Sequence, residues 1–171
     1  MNYKTFETAR LFLRPALPLE DAAFVLELMN TPKWKQNIGD RNINSLEDAT
    51  HYINTRMMPQ LERLGYGNYV LLRKSDNAKI GSCGLYDRVG LEGIDIGFAF
   101  LPAYERKGYA FEAAHKILDA GTNVFNIKKI SAITIKENIN SQKLLEKLGL
   151  KFIKLIRIAN DEEELMYYEL P

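Results

Sequence analysis

The sequence predicts a mixed α+β fold in a single domain spanning residues 1–171, and three observations carry that expectation. Strand-like runs at about 67–73, 79–87 and 92–101 follow one another. The turn signals Ser75-Asp76-Asn77 and Gly90 separate them, so they read as an antiparallel meander. Ala110, Ala113, Ala114, Ile117, Leu118, Gly121, Val124 and Phe125 then recur at i, i+3, i+4, i+7 spacing, the most regular amphipathic helix in the chain. A strand at about 129–136 after that helix requires at least one parallel β-α-β crossover. No repeat, low-complexity tract or Pro/Ser-rich linker divides the 171 residues, a length that suits one core.

The remaining elements follow from period and punctuation. Arg10 to Arg14 reads as a short strand, and Pro18 starts a helix carrying Ala22, Val25, Leu26 and Met29 on one face. Ser45 caps a second helix, whose stripe of Ala49, Tyr52, Ile53, Met57, Leu61 and Leu64 ends near Gly65. Two helices therefore precede the meander. Ser141, Leu144, Leu145 and Leu148 share a face of a short helix near 140–148, with Gly149 as its stop. Two last strands, about 151–159 and 163–170, form a hairpin around Asn160-Asp161. The expected order is β-α-α-β-β-β-α-β-α-β-β.

Composition narrows the function classes. Twenty-three Lys+Arg against twenty-two Asp+Glu leave a net charge of +1, so no whole-molecule field draws the chain to nucleic acid or an anionic membrane, and any basic site must be local. Cys83 is the single cysteine, which rules out an internal disulfide and a Cys-rich zinc site and suits a reducing compartment, the cytoplasm by default. Within a strand, and with no histidine in the same motif, Cys83 reads as a small buried hydrophobe rather than a nucleophile. His51 and His115 are the only histidines and lie in helical patterns as surface or boundary residues, so no metal site is expected. The N-terminus lacks an apolar signal core, and no stretch approaches the roughly 18 apolar residues of a membrane span.

Chemistry concentrates around residues 92–111. Alternation puts Ile94, Ile96, Phe98 and Phe100 on one face and Gly93, Asp95, Gly97 and Ala99 on the other. The second face leaves room for a ligand against the backbone; alternatively, Gly97 marks a β-bulge and Asp95 faces water. The strand runs through Pro102 to Arg106-Lys107-Gly108-Tyr109-Ala110, where the long helix begins at about Gly108. First-turn amides without intrahelical partners, the helix dipole and a glycine that permits close approach suit a phosphate, with Arg106 and Lys107 adding positive charge. No GxxxxGK[ST] run is present, which disfavours a P-loop nucleotidase.

This strand, the Arg106-Lys107-Gly108-Tyr109-Ala110 junction, the long helix, the next strand and the segments Glu137-Asn138-Ile139-Asn140-Ser141 and Leu145 to Phe152 together resemble the GCN5-related N-acetyltransferase (GNAT) superfamily. The superfamily's acetyl-CoA segment, Q/R-x-x-G-x-G/A, is matched at Gly108 and Ala110 but has Glu105 in the first place. Arg10-Leu11-Phe12-Leu13-Arg14-Pro15, Leu28 to Pro32 and the N-x-x-S of Asn138 to Ser141 are similar to the ribosomal-protein N-terminal acetyltransferase branch. The resemblance implies the GNAT fold, with a central mixed sheet splayed at the strands flanking the acetyl-CoA site. It implies acetyl-CoA as cosubstrate, with pantetheine beside Phe98, Ala99 and Phe100, and pyrophosphate over Arg106, Lys107, Gly108, Tyr109, Ala110 and Phe111. Asn138 is a further pantetheine contact or a turn residue.

The implied reaction is acetyl transfer to a primary amine. Asp95 is the candidate base, directly or through water, with Glu92 or Glu112 as rivals. A backbone N–H near Phe98 is the implied oxyanion donor. Many relatives use a Tyr where this chain has Leu145, which leaves Ser141 as the candidate acid; its other reading is a helix N-cap. Trp34, between two lysines, either lines an acceptor pocket or plugs the fold, and Asp161 to Glu164 reads as a solvated turn. The acceptor is expected to be a protein N-terminus, with a small-molecule amine or a non-catalytic acyl-CoA-binding role as alternatives. A homodimer is a possible assembly, with neither membrane nor nucleic acid as a direct partner.

Overall fold

Alternating apolar residues build eight strands: β1 (Phe6–Glu7), β2 (Leu11–Pro15), β3 (Asn68–Arg73), β4 (Lys79–Tyr86), β5 (Ile94–Phe100), β6 (Ile130–Ile135), β7 (Lys151–Ile156) and β8 (Leu165–Glu169). They form one sheet in the order β1-β2-β3-β4-β5-β6-β8-β7 in a computed structural model that describes residues 2–159 and 161–171. All neighbours are antiparallel except β5 and β6. The expected meander is β3-β4-β5, and the expected crossover is β5 to β6 through α5 (Tyr109–Asn123). That helix stops at Asn123, so Val124 and Phe125, expected inside it, lie beyond its last turn.

Period-two alternation divides the apolar residues between two cores. Leu71, Leu85 and Ile96 pack with Ala113, Ala114 and Ile117 of α5 on one face of the sheet. Val70 joins Ala22, Val25, Leu28, Ala49 and Ile53 on the other, under α1 (Pro18–Met29) and α3 (Leu46–Tyr52). Cys83 of β4 is fully buried in the first core, and burial pushes its thiol well above the ordinary range.

The region before the meander is more broken than the sequence suggested. A short helix, α2 (Pro32–Asn37), follows α1; Thr31 caps it by accepting from the Trp34 N–H at 3.3 Å, with Pro32 as its first residue. The expected helix from Ser45 to Gly65 is α3, a π turn at Ile53–Met57, and α4 (Met58–Leu64). Pro59 explains the interruption. It has no N–H to offer the carbonyl one α-turn back, and its ring crowds that carbonyl, so the Met58 N–H reaches five residues back to the Ile53 carbonyl. At the other end α6 (Ile139–Lys147) agrees with expectation to within a residue, whereas the last strands are shorter than expected, ending at Ile156 and starting at Leu165. Asn160, placed at the expected hairpin turn, lies outside the described residues.

One buried ion network fastens α1 to the sheet. Asp21, fully buried in the first turn of α1, accepts from Arg14 Nη1 and Nη2 at 2.7 and 3.0 Å and from the Leu17 N–H at 2.7 Å. Lys79 Nζ lies 2.9 Å from its other edge. Burial opposes ionisation, but Arg14, the Leu17 amide and Lys79 outweigh it and hold the carboxyl below the usual carboxylate range. Replacing Asp21 by Ala leaves Arg14 without its buried partner and is expected to cost about 3–5 kcal/mol in urea-induced unfolding. Because the folded carboxyl titrates below the unfolded one, its contribution is complete above about pH 4 and is lost as pH falls further. Acid unfolding of Asp21→Asn should therefore show a shallower loss of stability below that pH than the parent chain.

Candidate active site

The parallel ladder between β5 and β6 has only two registered pairs, Ile94↔Ile130 and Asp95↔Ser131, although both strands continue well past them. Beyond that point the sheet is split. Which backbone groups face the split follows from the alternation of the β4–β5 ladder. The Leu101 N–H donates to the Ile80 carbonyl on the β4 side at 3.0 Å, whereas the Ile94 N–H points the other way, to Lys129 O. Counting in twos, the N–H and C=O groups of Phe98 and Phe100 face the split. The register from Gly81↔Phe100 to Tyr86↔Asp95 has no shift, so the bulge reading of Gly97 is overturned.

A cavity of about 750 Å³ passes through the split. Its wall includes Asp95, Phe98, Ala99, Phe100, Arg106, Gly108, Tyr109, Ala110, Phe111, Asn138 and Ser141; of the residues expected to touch acetyl-CoA, Lys107 alone does not line it. The small-residue face of β5 is not as open as its composition suggested. A Cβ on Gly97 would lie 3.0 Å from the Tyr86 ring, and one on Gly84, directly opposite, 2.7 Å from the Tyr86 hydroxyl. Both glycines make room for that ring, which reaches across them to donate from its hydroxyl to Asn68 Oδ1 at 2.7 Å. Sequence reasoning missed Tyr86; the signal was a glycine pair in register with an aromatic residue two positions along.

At the split's outer end stands the N-terminus of α5. Arg106 has φ +58° and Gly108, the residue before the helix, φ +82°, left-handed conformations that turn successive amides toward one side. The Glu112 N–H is bonded to the Gly108 carbonyl, but among the described residues the Tyr109, Ala110 and Phe111 amides have no partner. Arg106, Lys107 and Gly108 are exposed. Arg10 braces the turn: its Nη1 donates to the Lys107 carbonyl at 2.9 Å, its guanidinium lies 4.2 Å over the Tyr109 ring, and its Nε is 2.8 Å from Glu112. Unpaired amides, a positive helix end and exposed cations form an anion cradle. Glu105, the departure from the superfamily segment, is taken up by Lys33 of α2 at 2.5 Å.

Of the three candidate carboxylates, Asp95 alone lines the cavity. It is 1% exposed and accepts from Arg88 Nε and Nη2 at 3.2 and 3.1 Å. Burial pushes its carboxyl above the usual range, and the Arg88 guanidinium opposes that shift. Glu92 is exposed on the loop before β5. Glu112 faces the other side of α5's first turn, where the Thr8 hydroxyl and Arg10 hold its carboxyl below the usual range against the opposing effect of burial.

On the opposite bank, Asn138 is the N-cap of α6, its Oδ1 accepting from the Ser141 N–H at 3.3 Å. The capping role thus falls to Asn138, not to Ser141, whose hydroxyl has no partner within the protein among the described residues. Leu145 is buried in the sheet–α5 core. The far wall is the broken helical region. Tyr52, Arg56, Met57 and Gln60 reach the cavity from the run containing the π turn, and Trp34 and Arg41 from α2 and the segment after it. Trp34 is therefore a lining residue, and its indole Nε1–H is buried with no partner. Among the described residues no His/Cys/Asp/Glu cluster could hold a metal, and no helix is long and apolar enough to cross a membrane.

Comparison with known proteins agrees with this geometry. The acetyltransferase (GNAT) domain family matches residues 10–151, and the chain belongs to that family. An uncharacterized N-acetyltransferase of Bacillus subtilis, YnaD, is 34% identical over 128 residues, 72% of each chain. Two solved structures share the fold. An acetyltransferase from Agrobacterium tumefaciens has 21% identity, TM-score 0.82, and coverage of 99% of this chain and 95% of that one. The ribosomal-protein-S5-alanine acetyltransferase of Vibrio fischeri has 18% identity, TM-score 0.80, and coverage of 97% and 95%.

Proposed function

We propose that this GNAT-family N-acetyltransferase moves the acetyl group of acetyl-CoA to a primary amine, by preference the α-amine of a protein N-terminus. The observation that carries the reading is the continuity of one cavity from the anion cradle at Arg106–Phe111, along the unpaired edge of β5, to a buried carboxylate at Asp95. The diphosphate lies on the Tyr109, Ala110 and Phe111 amides with Arg106 and Lys107 beside it, and the amide-rich pantetheine arm completes the edge of β5 as an added strand. Asn138 and the start of α6 close the other side of that arm.

The amine nitrogen attacks the thioester carbonyl carbon, and the Phe98 N–H receives the charge that develops on the carbonyl oxygen, a contact of roughly 3 kcal/mol. Asp95 takes the proton that the ammonium sheds, directly or through one water, and Arg88 orients it. A carboxylate tied to a guanidinium is a restrained base, which favours an acceptor already partly neutral at pH 7. An α-amine, with a pKa of about 7.7–8.0, meets that condition better than a lysine-like amine at about 10.4. As the carbon–sulfur bond breaks, the nitrogen sheds its second proton, which goes to solvent while the sulfur leaves as a thiolate, or passes to the sulfur through the uncommitted Ser141 hydroxyl, which donates one proton and takes up the other. A thiol of pKa about 8.5 needs little help, so Ser141→Ala costs less than loss of the base.

Three measurements test the reading. Gly108→Trp inserts a side chain where φ is +82° and Arg10 Nη2 already lies 3.2 Å from the Cβ position, and is expected to abolish CoA binding in calorimetry with circular dichroism unchanged. Undiminished affinity removes the cradle from the site. Asp95→Asn is expected to lower turnover by about 10²-fold or more in a thiol-release assay across N-terminal peptides, with CoA affinity retained. In the parent chain kcat/KM should fall on the acidic side as the Asp95 carboxyl, pushed upward by burial, takes up a proton. Equal turnover of the two proteins excludes Asp95 as the base.

A further inference from the structure

The acceptor end of the cavity carries more positive charge than the chemistry of acetyl transfer requires. The cavity wall as a whole holds six cationic side chains, Lys33, Arg41, Arg56, Arg88, Arg106 and Lys147, against three carboxylates, Asp95, Glu105 and Glu137. Two of the cations are already answered: Lys33 by Glu105 at 2.5 Å and Arg88 by Asp95 at 3.1 Å. Arg41 and Arg56 are in no ion pair and donate no hydrogen bond to the protein among the described residues. The acid closest to Arg41 in sequence, Asp40, is instead occupied by the Asn42 N–H at 2.8 Å and by Lys35 at 4.0 Å.

Both arginines are delivered to the cavity by irregular backbone. Arg41 sits on the segment joining α2 to α3, and Arg56 in the π turn that Pro59 imposes, a kind of helix defect found frequently at functional sites. On the wall of the same cavity Trp34 presents a buried indole N–H that no protein acceptor satisfies. Two free guanidiniums and an orphan N–H supply donors and no acceptor, a set matched by an oxyanion.

We propose that the acceptor carries, besides its amine, an anionic group, a carboxylate or a phosphate, bound by Arg41 and Arg56. This rests on the acetyltransfer reading and narrows it. Polyamines and aminoglycosides, which would bring further cations to these arginines, are poor acceptors. A protein N-terminus is a good one when acidic side chains follow its α-amine.

The test uses matched amines with the CoA-loaded protein, so that phosphate probes do not fill the cradle at α5. The pairs are 4-aminobutyrate and its amide, 3-aminopropyl phosphate and 3-aminopropanol, and alanyl peptides with Asp and Glu or with Asn and Gln at positions 2–4; spermidine is the cationic probe. Binding is read by calorimetry on the CoA-loaded protein, and transfer by thiol release in separate mixtures with acetyl-CoA in place of CoA. The anionic member of at least one pair is expected to bind about tenfold or more tightly than its neutral partner, and the pair that responds identifies the source of the anion. Arg41→Gln and Arg56→Gln, both at exposed positions, are each expected to reduce that ratio about tenfold, through KM rather than kcat. No preference in any pair, tighter binding of spermidine, or a preference that survives the double variant overturns the inference. Arginine-dependent binding without acetyl transfer would uphold it and defeat the acetyltransfer reading instead.

Discussion

Two parallel strands that meet for only two residue pairs and then separate are the constraint on which the rest of this molecule depends. A sheet that opens in its middle leaves a row of backbone donors and acceptors unpaired, which a protein interior does not tolerate without a substitute partner. Here the open edge lines a cavity, so the missing strand can be supplied by a ligand that is itself rich in amides. The crossover helix starts where that opening ends, which brings its positive terminus to the same place. Extended substrate and anion site thus follow from one topological fact.

The two cores meet along the same line. The sheet–α5 core is continuous and rich in large aliphatic residues, whereas the core under α1 and α3 is smaller and roofed by short helical pieces. The buried Asp21 network ties that roof to β2 and β4 at one end only. The cavity lies under α2 and the π turn, where the helical pieces are shortest. Stability and recognition are thereby kept in different parts of the roof.

Much of this was legible in the sequence, because period-two and period-3.6 patterns survive in the meander, α5 and α6; Gly108 after two basic residues is a weak signal alone and marks a helix start only beside the amphipathic stripe that follows it. What was not legible depends on partners distant in sequence or on single-residue defects. Glu105 looked like a flaw in the phosphate segment until Lys33, 72 positions away, was found against it. The glycines of β5 looked like vacancy, yet Gly97 and Gly84 accommodate the ring of Tyr86, which only a known register could reveal. The π turn hid inside a stripe that reads as an unbroken helix, although Pro59 was in view. Thr31-Pro32 announced α2, but six residues are too few for a period to stand out.

The burial of Cys83 has a consequence at the bench. It is the only sulfhydryl in the chain, it is inaccessible inside β4, and its thiolate form is suppressed, so it does not compete for a chromogenic disulfide reagent while the protein is native. Colour formed in such a mixture counts released coenzyme alone. Once denaturant is added, the same reagent titrates one equivalent per chain, and its rate of uptake becomes a clock for opening of the sheet.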